Sequence, residues 1–265
     1  MKIGALVDDF LGWNGGIDFL KNYINCCYGD PDMNIVLLKS ARKRNLRYYL
    51  SMIKQADVSI LCLPDQASKE IAAAAPSDSV IIDTSTAHRT DPSWVYGMPE
   101  LTEEQREKIR SSTRIANPGC HASGFILLVR PLIEAGLLDS EALLTCFCVT
   151  GYSGGGKKMI ADYETCISEH AALLAGSRMY GLSQNHKHLP EMMKVCGLDR
   201  APVFCPVVGN FYAGMEVIIP LFQDTLTAGM KEIRKIYQDY YAEGTGLVHY
   251  AEALDEEGFL SAAAF

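Results

Sequence analysis

No run in this chain is apolar for long enough to cross a bilayer, so a membrane-spanning protein is not expected. No positive charge accumulates either. Lys and Arg number 24 against 32 Asp and Glu, and the net charge of −8 argues against a nucleic-acid surface. Met1 runs straight into a strand-like segment, with no basic region, apolar stretch and small-residue cleavage site, so no export signal is expected. The nine cysteines are odd in number and lack disulfide-scaffold spacing; without export they read as reduced thiols in a cytoplasm. No metal is expected. Adjacent Cys26 and Cys27 suit a shared tetrahedral ion poorly, and Cys146 and Cys148 fall on one face of an apolar strand. Neither a low-complexity linker nor an internal repeat breaks the 265 residues, a length for one large domain or two small ones.

What the chain does have is alternation. In the first half, strand candidates at residues 2–7, 34–38, 58–63 and 79–83 interleave with helix candidates at 16–28, 45–53 and 66–73. Continuous apolar strands separated by helices imply a parallel sheet covered on both faces, with active residues at the carboxyl ends of the strands. The second half differs. Strand candidates lie at 143–149, 203–204, 216–221 and 247–250, with helices at 158–170 and 226–241. The expected architecture is α/β: a Rossmann-like parallel-sheet domain over residues 1–116, then an α+β substrate and dimerisation domain over residues 117–265.

Chemistry concentrates in the run Asn117-Pro118-Gly119-Cys120-His121. A short strand precedes it and an apolar helix follows. A cysteine at a strand-to-helix turn has its sulfur near unpaired helix N–H groups, which favour the nucleophilic thiolate. His186-Lys187-His188-Leu189-Pro190-Glu191 is the second concentration. On a helix, residues i and i+2 diverge by about 200°, and Pro190 places both histidines in extended chain before a helix starting near Glu191. General acid-base work suits them better than metal binding, because imidazole titrates near working pH. Arg89, after the fourth strand, is a forked cation that can hold a carboxylate or phosphate, whereas His88 reads as structural. Gly151-Tyr152-Ser153-Gly154-Gly155-Gly156 opens a helix, where glycine amides can meet a phosphate. Lys39, Arg42, Lys43 and Arg44 follow the second strand with no acid among them, which favours the 2'-phosphate of NADP over the ribose of NAD.

These motifs, with Leu61-Cys62-Leu63-Pro64-Asp65, Ile82-Asp83-Thr84-Ser85-Thr86-Ala87-His88-Arg89 and Tyr96-Gly97, occur in the order found in N-acetyl-gamma-glutamyl-phosphate reductases. The chain resembles the shorter subtype of that arginine-biosynthesis family from about residue 34 to its end. The resemblance implies that Cys120 is the nucleophile and His186 its acid-base partner. Arg89, His188 and Glu191 would then bind or orient substrate. Gly12, Gly15, Ser40, Arg42, Pro64, Ser153 and Gly154 would line NADP, the last two on its nicotinamide side. The implied reaction is NADPH-dependent reduction of N-acetyl-glutamyl phosphate to the semialdehyde through a cysteine thioacyl intermediate, by a homo-oligomer with a small-molecule substrate.

Two departures stand against that pattern. The family's first glycine turn reads G-x-x-G-x-x-G, and here Asp9 holds the first position, with Gly12 and Gly15 in the others. The family's further segment of several dozen residues, with an Asn-Leu-Gly-Lys-Gly-Ala-type loop, is not found in residues 1–265, so impaired cofactor binding and stability are expected. An aspartate-semialdehyde-dehydrogenase-like enzyme and a silent, shortened homologue are the alternatives; a cysteine hydrolase leaves both glycine loops without a role.

Overall fold

The computed structural model describes residues 2–7, 34–39, 46–165, 171–242, 247–251 and 259–262. The expected helix at 16–28, the turn with Asp9, Gly12 and Gly15, and Ser40, Arg42, Lys43 and Arg44 lie outside the described residues. The chain forms two compact units: Met1–Met98 with Glu103–Pro118, and Pro99–Thr102 with Gly119–Phe265.

The first unit carries six strands: β1 (Lys2–Val7), β2 (Asn34–Lys39), β3 (Val58–Cys62), β4 (Val80–Asp83), β5 (Val95–Tyr96) and β6 (Arg114–Ala116). They line up in the order β2-β1-β3-β4-β6-β5, every pair parallel. Helices α1 (Leu46–Ile53) and α2 (Asp65–Ala74) fall close to their expected places. Their apolar positions Tyr49, Ile53, Ala67, Ile71 and Ala72 pack with Leu61, Leu63 and Ile81 into one cluster, as the helical spacing requires. A third helix, α3 (Glu103–Ser111), was not expected. It buries no residue, and ion pairs on its surface, such as Lys108 with Glu104 at 2.7 Å, replace an apolar stripe.

The second unit holds a four-stranded mixed sheet, ordered β10-β7-β9-β8, from β7 (Thr145–Gly151), β8 (Arg178–Met179), β9 (Val203–Gly209) and β10 (Met215–Ile218). Central β7 and β9 are parallel and both edges antiparallel. Its helices are α4 (Cys120–Glu134), α5 (Gly156–Glu164), α6 (Ala171–Ala175), α7 (Leu189–Cys196) and α8 (Met230–Tyr241). α4 buries Ala122, Phe125, Ile126, Val129 and Leu132, the three-and-four spacing of a core-facing stripe. It lies close to β10, since a Cβ on Gly124 would stand 2.6 Å from Val217.

Several boundaries moved for local reasons. β9 runs through Pro206, where a strand was expected to stop. The Pro206 carbonyl accepts from Tyr180 N at 3.0 Å, so its missing N–H falls on the side of two-residue β8 and the ladder to β7 survives. β10 ends at Ile218, two residues before Pro220 removes a donor. The helix expected from 226 starts after Gly229, its N-cap. Residues 247–250, expected as a strand, form none.

Pro131 sits inside α4 and strips Leu127 of its helical donor. Tyr241 replaces that donor, its hydroxyl meeting the Leu127 carbonyl at 2.6 Å, and Tyr237 donates to Leu128 next to it. Tyr241→Phe is therefore expected to cost about 1 kcal/mol. Pro131→Ala returns an N–H to Leu127 and should cancel most of that loss in the double variant. Urea titration of the four proteins measures both; equal losses in the two backgrounds would contradict it.

Candidate active site

In the first unit, the end of β4 is a polar hub. Asp83 is fully buried, and its carboxylate accepts from Ser68 Oγ (2.6 Å), Ser85 N (3.0 Å), Ser85 Oγ (2.7 Å) and His88 Nδ1 (2.6 Å). That count is what lets a carboxylate stay in the core. His88 stacks on Trp94 at 4.0 Å, the structural role expected of it. Arg89 is buried too. Its Nε donates to the Asn117 carbonyl at 2.9 Å and its Nη2 to that of Thr84 at 3.1 Å, while Asn117 N donates to the Asp83 carbonyl at 2.8 Å. Arg89 thus braces the strand end that leads toward Cys120. Pro64 is exposed and caps α2. The next residue, Asp65, accepts from Thr86 N at 3.0 Å, tying the β3 and β4 loops together.

In the second unit, α4 opens with Gly119 as N-cap and Cys120, exposed, as its first residue. Gly119 N donates to Glu191 Oε2 at 3.0 Å, a carboxylate that is itself 1% exposed. A Cβ at Gly119 would stand 2.5 Å from His188 Cδ2 and Nε2 and closer still to Glu191 Oε1. The glycine is required by close approach, its φ of −78° being open to any residue. Glu191 lies in the first turn of α7 and His188 is that helix's N-cap. His188 has αR geometry (φ −82°, ψ −19°), so the expectation of extended chain fails there: the helix begins at Leu189 and takes Pro190 in its first turn, where its lost N–H costs nothing.

Three imidazoles cluster here, two of them, His121 and His188, close to the sulfur. His121 Nδ1 lies 3.4 Å from Cys120 Sγ, and His121 Nε2 lies 3.3 Å from the Tyr180 hydroxyl. One nitrogen each of His121 and His188 and the sulfur fall within 4.8 Å of one another. His186 packs its ring 4.6 Å from that of His188 and 4.8 Å from Phe204. Its Nδ1 accepts from His188 N at 3.3 Å, so the neutral ring carries its proton on Nε2. Burial and the Lys187 charge push His186 below the usual imidazole range. The loop that carries it is clipped to β9 by Gln184, whose side chain pairs with Phe204 N (2.8 Å) and the Phe204 carbonyl (2.7 Å) despite a positive φ of 54°.

The glycine loop after β7 is more self-contained than expected. Gly151, Tyr152 and Ser153 donate their amides to the carbonyls of Gly214, Phe211 and Tyr212, at 3.0, 2.9 and 2.9 Å. These three amides, of the loop expected to meet a phosphate or the cofactor, are bonded within the protein. Ser153 is left its hydroxyl for that work, and exposed Gly154 follows it in the turn. Sequence reasoning missed His121, Tyr180, Gln184 and the Asp83 hub. The Cys-His dipeptide was a signal for the first.

The semialdehyde dehydrogenase NAD binding domain matches residues 38–109, and the semialdehyde dehydrogenase dimerisation domain matches residues 120–256. The N-acetyl-gamma-glutamyl-phosphate reductase of Sinorhizobium medicae (strain WSM419) is 45% identical over 219 residues, covering 81% of this chain and 70% of its own. The chain belongs to the N-acetyl-gamma-glutamyl-phosphate reductase family. Its relative of that name from Rhizobium meliloti (strain 1021) is 42% identical over 238 residues, or 88% of this chain and 76% of the relative. Among solved structures, aspartate semialdehyde dehydrogenase II from Vibrio cholerae, complexed with ASA, aligns at a TM-score of 0.66 and 16% identity over 92% of this chain and 79% of that one. Aspartate semialdehyde dehydrogenase with NADP from Candida albicans aligns at 0.56 and 13%, over 89% and 75%. At such identities the likeness is one of fold.

Gly119→Ala is expected to abolish activity and to lower stability by roughly 2 kcal/mol or more, since neither buried neighbour can yield. Thermal melts and turnover check it, and a stable, active Gly119→Ala protein would contradict the packing.

A second expectation concerns pH. Burial, with His186 adding to it, pushes His121 from 6.5 down to about 4. Between those values the unfolded chain binds a proton that the folded chain refuses, so stability falls as pH drops through that window, by up to about 3 kcal/mol in all. Unfolding free energies measured from pH 7 to pH 4 should slope less in His121→Asn.

Proposed function

We propose that this chain reduces N-acetyl-glutamyl phosphate to N-acetylglutamate semialdehyde and phosphate with NADPH, through a thioester on Cys120. The observation that carries the reading is an exposed cysteine at the head of a helix with an imidazole nitrogen 3.4 Å from its sulfur. The names of relatives above 40% identity supply the substrate. The aspartate-semialdehyde alternative rests on fold likeness alone. The dimerisation-domain match supports a homo-oligomer.

NADP suits the first unit. β1 lies between β2 and β3, so the strand order reverses there, and the crevice outside the carboxyl ends at such a switch point is where dinucleotides bind in open α/β sheets. Pro64 follows β3 at that end; Gly12, Gly15, Ser40 and Arg42 are assigned to the same cofactor, with Ser153 and Gly154 on its nicotinamide side. When bound, the nicotinamide supplies the hydride that takes the thioester carbonyl to the aldehyde level.

The chain's own residues do the rest. Amides of the first turn of α4 favour the Cys120 thiolate. Sγ attacks the acyl carbon; a C–S bond forms, the C–O bond to phosphate breaks, and phosphate leaves with the electron pair. His186, neutral with its proton on Nε2, donates to the oxyanion that develops on that carbon. Nε2–H stays hydrogen-bonded to the oxyanion of the tetrahedral adduct without leaving the ring; as the adduct collapses the C=O re-forms, the C–S bond breaks with its electron pair going to sulfur, and the aldehyde departs. His188 and Glu191 hold Gly119 and so fix where the sulfur stands. Arg89 is assigned to the substrate's anion by the family resemblance, and its Nε and Nη2 also serve carbonyls.

The reverse reaction tests this conveniently, with N-acetylglutamate semialdehyde, phosphate and NADP+. Cys120→Ser should lose about three orders of magnitude or more. With phosphate withheld, intact-mass spectrometry should find one acyl adduct, mapped to Cys120. Faster turnover of aspartate semialdehyde, or an adduct on another cysteine, would sink the reading.

A further inference from the structure

We propose that His121 and Tyr180 form a donor relay onto the nucleophile: the Tyr180 hydroxyl donates to His121 Nε2, and His121 Nδ1–H donates to Cys120 Sγ. His121 is then a catalytic residue, in contact with the reacting sulfur, and Tyr180 a positioning residue that sets its tautomer. The inference rests on Cys120 being the nucleophile of the proposed reaction, but on no particular substrate.

The geometry carries it. The two ring nitrogens of His121 face two different partners, Sγ at 3.4 Å and the Tyr180 oxygen at 3.3 Å. A neutral imidazole has one N–H and one acceptor, so the identity of the second partner decides what the first receives. Burial, with the sulfurs of Cys120 and Cys148 close by, pushes the Tyr180 phenol up, so it stays protonated and able to donate. Among the described residues His121 Nε2 is the one acceptor recorded for that hydroxyl. With Nε2 accepting, the ring's proton must sit on Nδ1, aimed at sulfur. The ring is neutral at working pH, since burial takes it down to about 4.

The titratable groups around the ring agree with a neutral donor. Cys120, Tyr180, His186 and His188 face it, with Glu191 Oε1 4.0 Å beyond His188 Nε2 and Lys187 beside His186. An imidazolium would stand among two further imidazoles with little water to solvate it. A neutral N–H stabilises thiolate without adding charge, and it serves twice: when the thiolate attacks, and when it is expelled from the thiohemiacetal. His186 holds the opposite tautomer, Nε2–H, through its bond from His188 N. One ring is thereby assigned to sulfur and the other to oxygen.

The test reads the thiolate directly, as the pH dependence of Cys120 alkylation by iodoacetamide, followed by peptide mapping in the full chain. His121→Phe removes the donor, and Tyr180→Phe releases the tautomer. Each should shift the alkylation midpoint to higher pH and slow modification at pH 7 by about tenfold, the worth of one hydrogen bond to a charged group. His121→Asn keeps an N–H near the Nδ1 position with no tautomer to choose, so its midpoint should stay near wild type. Adding Tyr180→Phe to His121→Asn should then change nothing. An unshifted midpoint in Tyr180→Phe, or the same shift from Tyr180→Phe in both backgrounds, would overturn the relay. So would a His121→Asn midpoint shifted as far as that of Tyr180→Phe. Should His121→Phe fail to fold, the conservative His121→Asn and Tyr180→Phe variants still decide it.

Discussion

The helix that presents Cys120 can begin where it does only because residue 119 has no side chain. Glu191 and His188 occupy the space a Cβ would need, and Glu191 takes the Gly119 N–H. A buried carboxylate is costly unless its oxygens are bonded, and a helix start leaves N–H groups in need of acceptors. Each requirement answers the other. The same contact orders α7 against α4, since Glu191 belongs to the first turn of one helix and Gly119 caps the other. Gly119-Cys120 and the run His186–Glu191, which look in sequence like parts of two separate motifs, are one packed object in the second unit.

Electrostatics in that object follow from burial. Histidine is usually chosen for its readiness to charge near neutrality, yet His121 and His186 are both held below their ordinary range. Neutral rings cannot lend positive charge to a thiolate. In the proposed mechanism they lend oriented N–H groups, whose orientation is set by what sits on the other nitrogen: a phenol for His121, a backbone amide for His186. The tuning lies less in the histidines than in Tyr180 and in the backbone around His188. The positive end of α4 supplies the remaining stabilisation and needs no ionised side chain.

Legibility in the sequence tracked burial. Strands β3 and β4 and helices α1 and α2 are written as apolar residues at the right period, and each lay within a residue or two of its expected place; the apolar stretch 122–129 is the body of α4. Elements held by other means did not show. Helix α3 stands on surface ion pairs, and β8 is two exposed residues recognisable only by their pairing with Val207 and Val208. At the site, Cys120 and the histidine pair were legible because unusual residues sit beside Pro and Gly. Tyr180 was not, because it is 59 residues from its partner and nothing local marks it. Gln184 hid for the same reason: its pairing with Phe204 imitates a strand with a side chain, which no periodicity records.

The backbone around Cys120 leaves little room for adjustment. Asn117 donates its N–H to Asp83 and gives its carbonyl to Arg89. Pro118 then has a fixed φ and keeps Asn117 out of helical geometry. Gly119 gives its N–H to Glu191, and its carbonyl accepts from Ser123 N at 2.8 Å and Ser123 Oγ at 3.0 Å. Backbone groups of both residues flanking the proline are therefore committed before the cysteine is reached. A side chain on such a track keeps its place without relying on its own packing, which is why Cys120 can be exposed and still be positioned as the proposed nucleophile. The buried side chains of Asp83, Arg89 and Glu191 are all bonded to main-chain groups along this stretch or beside it. Their work is to hold the main chain, which leaves contact with sulfur and oxygen to neutral imidazoles that can donate without first losing a charge.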